Sequence, residues 1–394
     1  MLKFKSNIHQ TQITLLAVFG LFMPFSRIVN VNMVLLGLVV LLSIITAIRK
    51  QNKQNISSGK ELFSLIFFFG ILLCSLLYTE EFYKGQKVIV RSLPILLFAL
   101  SFLLMEQFTK KDVHKIFKYY VIGCALSIFY CFLIAFINYT DNPLPLTEGF
   151  TYFTLTLDFH PSYFALYIIF AFCAFVSIFD WNSKTKRWIP VATWFLLLLL
   201  ILFLRSRAPL IILLSVTILM LLKKVKKQLA FIIVAVLLIP AFFYIQDILE
   251  VISQGRSITL SLADRFHIWS STTDIIKENM FLGVGVGDYQ VALDKQYFLT
   301  GFDKGIDEKF NCHNQYLQTF LSVGLIGLIS LLSIFFFILK KGVQTQLFLP
   351  FYFLIGISIL MFFDAVLILQ HGVYFFSFFA AIFLKFKQNT HEST

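Results

Sequence analysis

Charge is what this 394-residue chain has least of: Asp, Glu, Lys and Arg make up only 14% of it. Soluble domains carry about 25%. Acidic residues are the scarcer sign, 21 against 33 basic ones, and no paired acidic motif is present that would hold a catalytic divalent cation. Cysteine is also sparse. Its five positions are Cys74, Cys124, Cys131, Cys173 and Cys312, an odd count whose spacing fits neither a zinc site nor a disulfide framework. Four of them lie inside apolar stretches and read as small buried hydrophobes. There is no internal repeat of fixed period and no low-complexity segment. No convincing small-residue cleavage site follows the first apolar block, which therefore reads as an anchor rather than a signal peptide.

What the chain has in excess is apolar residues: 58% hydrophobic, 49 phenylalanines and a mean hydropathy of +0.83. They come as separate blocks, each near the roughly 20 residues needed to cross hydrocarbon. The spans are expected near 12–29, 32–48, 62–78, 92–108, 119–137, 161–179, 189–204, 208–222, 229–246, 315–339, 347–369 and 372–386. The fold class is therefore all-α, a polytopic membrane protein of about twelve transmembrane helices.

The formal net charge of +12 would suggest nucleic acid in a soluble protein. Here the basic residues concentrate in alternate short loops. One set holds Lys3 and Lys5, then Arg49, Lys50, Lys53 and Lys60, then Lys110, Lys111, Lys115 and Lys118. It continues with Lys184, Lys186 and Arg187, with Lys223, Lys224, Lys226 and Lys227, and ends with Lys340, Lys341, Lys385 and Lys387. That is the positive-inside pattern, so both termini are expected in the cytoplasm, with membrane lipids and not nucleic acid as the surroundings.

The opposite loops face outward, and two are substantial, 138–160 and 247–314. The chain thus divides into helices 1–9 (1–246), an extracytoplasmic segment (247–314), and helices 10–12 with a tail (315–394). A loop as long as the second is functional or disordered, and helical signals favour function. Ser261 and Asp264 have capping-box spacing. Leu262, Phe266, Trp269, Thr273 and Ile276 mark one face of a helix ending near Asn279.

Several constellations bear chemistry. Arg205-Ser206-Arg207-Ala208-Pro209-Leu210 sits between two apolar blocks at the outward end. It reads either as two snorkelling arginines at a turn or as a polyanion site, since arginine forks match phosphate oxygens bidentately. Arg265 and Trp269 lie one helical turn apart, and the plain alternative for them is an interfacial amphipathic helix. Cys312-His313-Asn314-Gln315-Tyr316-Leu317 opens a span, with Asn311 a candidate cap. There the helix dipole disfavours imidazolium, and a neutral His313 can act as a general base, unless it is merely a solvated junction histidine. Asp364 inside a span is a functional candidate or an arginine's partner. Arg91 adds outward positive charge or anchors an interface. His160, His267, His313 and His371 match no metal motif. Gly283-Val284-Gly285-Val286-Gly287 lacks the strand–loop–helix context of a nucleotide site and reads as tight turns.

The order of these pieces resembles the O-antigen ligase and polymerase family, membrane glycosyltransferases that use lipid-linked sugars. The residues carrying the resemblance are Ser206-Arg207, Arg265 with Trp269, Met280-Phe281-Leu282-Gly283-Val284-Gly285-Val286-Gly287, His313-Asn314-Gln315-Tyr316-Leu317 and Val323-Gly324-Leu325-Ile326-Gly327. The dense part covers roughly 200–330. The chain departs from the family's usual pattern in having Met280-Phe281 where a proline normally precedes the glycines. His160-Pro161-Ser162-Tyr163 is similar to a segment of some ligase-like members.

The resemblance implies a GT-C-like fold and transfer of a glycan from an undecaprenyl-pyrophosphate carrier to a lipid or glycan acceptor, at the outer face of a bacterial inner membrane. It implies His313 on the acceptor hydroxyl and Arg207 and Arg265 on the pyrophosphate, with Arg205 and Arg91 as further candidates. Asn314, Trp269 and Asp364 are expected in support. Such a donor is already activated, so no ATP, metal or other cofactor is expected. Each charge pair at about 4 Å is worth roughly 4 kcal/mol, gross, at an effective dielectric of 20. The rivals are a repeat-unit polymerase of the same family and, from another class, a secondary transporter or lipid-linked glycan flippase. Against the latter stand the scarcity of intramembrane charge and the large outward loop.

Overall fold

The computed structural model describes residues 2–25, 28–49, 59–141, 155–156, 159–181, 184–224 and 262–387, and no strand occurs among them. The long helices are α1 (Leu2–Phe22), α2 (Val29–Arg49), α3 (Phe63–Cys74), α4 (Phe82–Leu104), α5 (Lys110–Asp141), α6 (Pro161–Ile178), α7 (Trp188–Phe203) and α8 (Arg207–Lys224). After them come α9 (Leu262–Glu278), α10 (Tyr289–Leu299), α11 (Asp303–Asp307), α12 (Gln315–Thr345), α13 (Leu349–Phe363) and α14 (Gln370–Lys385).

Six stretches are long and apolar enough to cross a membrane: Asn30–Ile48, Lys60–Leu77, Phe82–Leu104, Lys110–Asp141, Pro161–Ile178 and Gln315–Thr345. Shorter apolar helices run over Ile8–Phe22, Trp188–Phe203, Arg207–Leu222 and Leu349–Phe363. A helix occupies each expected span except 229–246, which lies outside the described residues. The fold fits a membrane protein. Three helices, α1, α4 and α5, begin earlier than hydropathy suggests. Lys84, Lys87 and Arg91 mask the first turns of α4, and Lys110, Lys111, Lys115 and Lys118 those of α5.

The core is aromatic. Every residue from Gly372 to Lys385 of α14 is buried, as expected of a helix that is apolar all round. Phe375 and Phe379 of α14 pack on Phe170 and Phe353 of α6 and α13, with ring centroids 4.7–6.3 Å apart. The outer faces of α3, α5, α7 and α12 instead expose large apolar side chains such as Phe67, Phe129, Leu196 and Phe336. A soluble monomer does not carry so much apolar surface; lipid tails cover it at no cost. Cys74 belongs to this outer surface and is exposed, against the expectation of burial. An apolar residue in a spanning helix faces lipid as readily as protein. Cys124, Cys131 and Cys173 are buried as expected.

The bundle's two ends differ. At one end the basic junctions gather. Lys385 Nζ donates to Met105 O, Gln107 Nε2 donates to Lys385 O, and Lys341 pairs with Glu61 at 3.2 Å. Nearby in sequence, Lys115 Nζ donates to Thr14 Oγ1 and His9 meets Asp112 at 3.3 Å. At the other end the connections expected to face outward meet one another. Tyr78 Oη donates to Leu282 O, the Asp288 carboxylate accepts from the Glu80 and Glu81 amides, and Ser162 and Ser206 hydroxyls lie 2.8 Å apart. The segregation read from charge is thus a segregation in space.

Segment 262–314 packs its own small core of Ile268, Ile275, Ile276, Leu293, Tyr297, Phe302 and Cys312, continuous with Leu321. The α9 face differs from expectation. Phe266 is 71% exposed and Thr273 is exposed, whereas Asp264, Ile268, Ser271, Thr272, Ile275 and Ile276 are buried. The buried face was hidden by its polar members. Asp264 pairs with Lys304 of α11 at 2.7 Å, and Thr272 Oγ1 bonds back to Ile268 O.

The glycine run has a structural use. Helix α12 breaks at Val323 (φ −134°) and Gly324 (φ 68°). Residues 280–285 fill the break: Val284 N donates to Leu321 O, Gly285 N to Ser322 O, and Leu325 N to Met280 O. These bonds satisfy backbone groups that a helix break leaves without partners. The approach is so close that a Cβ on Gly283 would sit 2.5 Å from Leu321 O, and one on Gly324 2.1 Å from Phe281 O.

Candidate functional site

Three junctions at the outward-expected end contribute the candidate residues. The turn before α12 presents His313, and α9 presents Arg265. Asp364 is not within a helix; it caps the C-terminus of α13, where the chain turns extended (φ −152°, ψ 156°) before a short 3-10 turn, Val366–Ile368. Tertiary contacts bring them together. Arg265 Nη1 donates to Phe363 O at 2.7 Å and to His313 O at 3.3 Å. His313 Nδ1 lies 3.7 Å from Asp364 Oδ1. On the other side His160 Nε2 lies 3.8 Å from Asp364 Oδ2. Asp364 therefore stands between two imidazoles, one of them next to an arginine.

Local chemistry sets up the His313 turn. His313 has φ 41°, a left-handed value costly for a residue with a side chain. The Asn311 carboxamide accepts from the His313 amide at 2.8 Å. Asn311 thus braces the turn and is not the helix cap. The cap is Asn314, whose Oδ1 accepts from Tyr316 N and Leu317 N, at 2.9 and 3.1 Å. From beneath, Trp269 Nε1 donates to Cys312 O at 3.1 Å, and the Trp269 indole packs edge-on to Phe362 at 5.5 Å. Trp269 ties α9 to both the His313 turn and the end of α13. Buried Cys312 meets the Thr272 hydroxyl at 3.6 Å.

Electrostatics follow from this burial. Burial pushes the His313 pKa down, Asp364 opposes it, and the neighbouring Arg265 and His160 push it further down. The net direction is below the ordinary imidazole value, so His313 is neutral at pH 7. His160 shifts the same way, from burial against an opposing Asp364. Arg265 is lowered by burial first, supported by Asp364, and lowered again by the charge of Arg207. Arg207 therefore acts on the same cluster from the start of α8. The Ser162–Ser206 contact fixes that helix start against His160-Pro161 at the start of α6.

Arg205 and Arg91 stand apart. Arg205 is exposed, with a left-handed φ of 47°, and none of the contacts that join the cluster includes it. Arg91 reaches the carbonyl of Ile368 and lines a neighbouring cavity. Of the other histidines, His267 stacks on Phe302 at 5.1 Å and His371 packs on Phe159 at 4.5 Å. Among the described residues no group of three His, Cys, Asp or Glu side chains is placed to hold a metal ion. Sequence reasoning noted His160 among histidines that match no metal motif and in a segment similar to some ligase-like members, gave it no role in the site, and missed its approach to Asp364. The two residues are far apart in the chain, and only the neighbouring Pro161 and Ser162, at a helix start, signalled the junction.

A half-buried carboxylate, two imidazoles and Arg265, with Arg207 near enough for its charge to act on Arg265, gather at one end of a helical bundle that fits a membrane protein. Residues 191–332 match the family model described as O-Antigen ligase, which supports placing the chain in the O-antigen ligase family. The matched stretch contains Arg205, Arg207, Arg265, Trp269, His313 and Asn314, whereas Arg91, His160 and Asp364 lie outside it. No curated protein matches the chain.

Proposed function

We propose that this protein transfers a glycan from an undecaprenyl-pyrophosphate carrier to an acceptor hydroxyl at the outer face of a bacterial inner membrane, with both termini and the basic end of the bundle in the cytoplasm. The observation that carries this reading is the convergence of Arg265, His313 and Asp364 from three separate chain segments. In the reaction the acceptor oxygen bonds to the anomeric carbon of the donor. The bond from that carbon to the pyrophosphate oxygen breaks, and the carrier leaves with the electron pair. His313 takes the acceptor proton. Asp364 faces Nδ1, which leaves Nε2 for the hydroxyl and stabilises the imidazolium that forms. Arg265 and Arg207 counter the charge growing on the leaving pyrophosphate. The Arg265 bonds to Phe363 and His313 use one of its three guanidinium nitrogens, and the planar fork has donors left for phosphate oxygens.

The broken helix α12 is the one feature that favours transport, since transporters coordinate cargo with helix breaks. Here the break is filled by residues 280–285, so its backbone groups serve the fold. Ligation to a finished acceptor and polymerisation of repeat units use the same chemistry. In a deletion strain, accumulated long carrier-linked chains indicate a ligase and accumulated single repeats a polymerase. The site itself is tested by assaying transfer with His313→Ala, Arg265→Ala and Arg207→Ala after confirming membrane insertion. We expect each to lose at least about 10²-fold; full retention in all three would remove the assignment.

A further inference from the structure

The connection between α13 and α14 carries Asp364 to His313, and its own hydrogen bonds account for only part of its shape. Val366 N donates to Asp364 O and Ile368 N to Ala365 O, both at 3.1 Å, and Ala365 N donates to the Asp364 carboxylate at 2.8 Å. Two further backbone groups are met by side chains from other helices. Leu367 N donates to Gln315 Oε1 of α12 at 2.6 Å, and Ile368 O accepts from Arg91 Nη1 of α4. A buried backbone group deprived of its partner is costly, so these two side chains bias where the connection rests.

Gln315 lies where it can link the two halves of the site. It is two residues beyond His313, and Leu367 is three beyond Asp364. Its side chain is buried, and both ends of the carboxamide are used: Nε2 donates to Thr319 Oγ1 at 3.0 Å, one turn along α12, which turns Oε1 toward Leu367. The link matters because His313 Nδ1 and Asp364 Oδ1, 3.7 Å apart, are too far apart for a hydrogen bond of their own. Their separation is therefore set by whatever ties the two chain segments together. Arg265 ties Phe363 O to His313 O on one side of Asp364, and Gln315 and Arg91 hold Leu367 and Ile368 on the other.

We propose that Gln315 and Arg91 are positioning residues: they clamp the 366–368 turn onto α12 and α4 so that Asp364 stays facing the His313 ring. Arg91 then acts on the protein's own backbone and not on the pyrophosphate. That the clamped pair serves glycan transfer rests on the transfer reading; the clamp itself does not.

The test reads the His313 titration without donor. Protein in lipid nanodiscs is treated with diethyl pyrocarbonate across a pH series, and mass spectrometry gives the modification rate at His313, whose side chain is 25% exposed. The charged and titratable groups acting on its ring are Asp364, Arg265 and His160, and only Asp364 raises its pKa. Gln315→Met keeps the length of the side chain but cannot accept from Leu367 N. It should lower the midpoint, as Asp364→Asn does, and Asp364→Asn should then shift it less than half as far as in wild type. Arg91→Met should also lower the midpoint, and Arg91→Lys, which keeps a donor for Ile368 O, should restore it. The Arg91 pair keeps the test decisive should Gln315→Met fail to insert. Leu331→Ala, a buried change farther along α12, should leave the midpoint unchanged. An unchanged midpoint in Gln315→Met and Arg91→Met, full additivity with Asp364→Asn, or an equal shift in Leu331→Ala overturns the clamp. In the transfer assay, Gln315→Met should lower kcat roughly 10–10²-fold with the donor KM unchanged. A donor KM raised by Arg91→Lys would put Arg91 on the pyrophosphate and overturn its part. Because the midpoint is read without turnover, failure of the transfer reading leaves that result standing, and failure of the clamp leaves the transfer reading to its own variants.

Discussion

His313 has its ring nitrogen facing a carboxylate, its backbone in a left-handed turn and its imidazole kept neutral by burial. A general base works in its deprotonated form, so transfer falls as pH drops through its pKa. That pKa lies below the ordinary imidazole value, so the acid limb of the kcat profile should sit below about pH 6.5. Asp364→Asn removes the one influence that raises it, and should move the limb lower still while cutting kcat. A wild-type limb above the ordinary value would contradict this picture. Arg265→Lys should recover little activity, because an ammonium lacks the planar fork that spans Phe363 O, His313 O and a phosphate; near-full activity would mean that only the charge matters. Arg265, Trp269 and His313 stood out in the sequence beside apolar spans, where an interfacial helix and a solvated junction histidine were equally open readings, and it was the family resemblance that drew them into one site. The His160–Asp364 approach was not legible there, since it depends on the packing of α6 against α13, which no local pattern encodes.

Helices α9 and α12 show how far element-scale reading reaches. The start of α12 follows from hydropathy, although Asn314 and not the expected Asn311 caps it and the helix runs on to Thr345, past the expected 339; α9 ends at Glu278 beside the expected Asn279. Its buried face was misjudged because it includes the polar residues Asp264, Ser271 and Thr272; Asp264 pairs with Lys304, and Thr272 bonds to Ile268 O and meets Cys312. The two shorter helices α10 and α11 carry no period strong enough to announce them. The break in α12 makes a sharp prediction. Gly324→Ala combines a positive φ with a Cβ 2.1 Å from Phe281 O, and should cost upwards of 2 kcal/mol of stability. Gly301→Ala, with φ 67° and nothing within 4 Å, should cost only about 1–2 kcal/mol. Thermal denaturation in detergent measures both, and equal losses would show that residues 280–285 do not lock the break. Asn314→Ala should cost about 0.5–2 kcal/mol through its lost cap and lower transfer more than its loss of stability explains, because the cap orders the residue after His313.

For the whole molecule, the charge pattern along the chain corresponds to two chemically distinct ends of one bundle. Lys341, Lys385 and their partners gather at one, and the Arg–His–Asp cluster at the other. The exposed apolar faces of α3, α5, α7 and α12 lie between the two ends as a lipid-facing surface. The account's central claim is that the cluster acts on a lipid-borne diphosphate. The most direct measurement is single-turnover glycan transfer by purified protein in nanodiscs, supplied with undecaprenyl-pyrophosphate-linked glycan and acceptor, comparing wild type with His313→Ala and Arg265→Ala at saturating donor. The account predicts carrier release coupled one-to-one to glycan transfer in wild type, and about 10²-fold or greater loss of both in each variant. Undiminished transfer by the variants, or donor moved across the bilayer with its pyrophosphate bond intact, would contradict it.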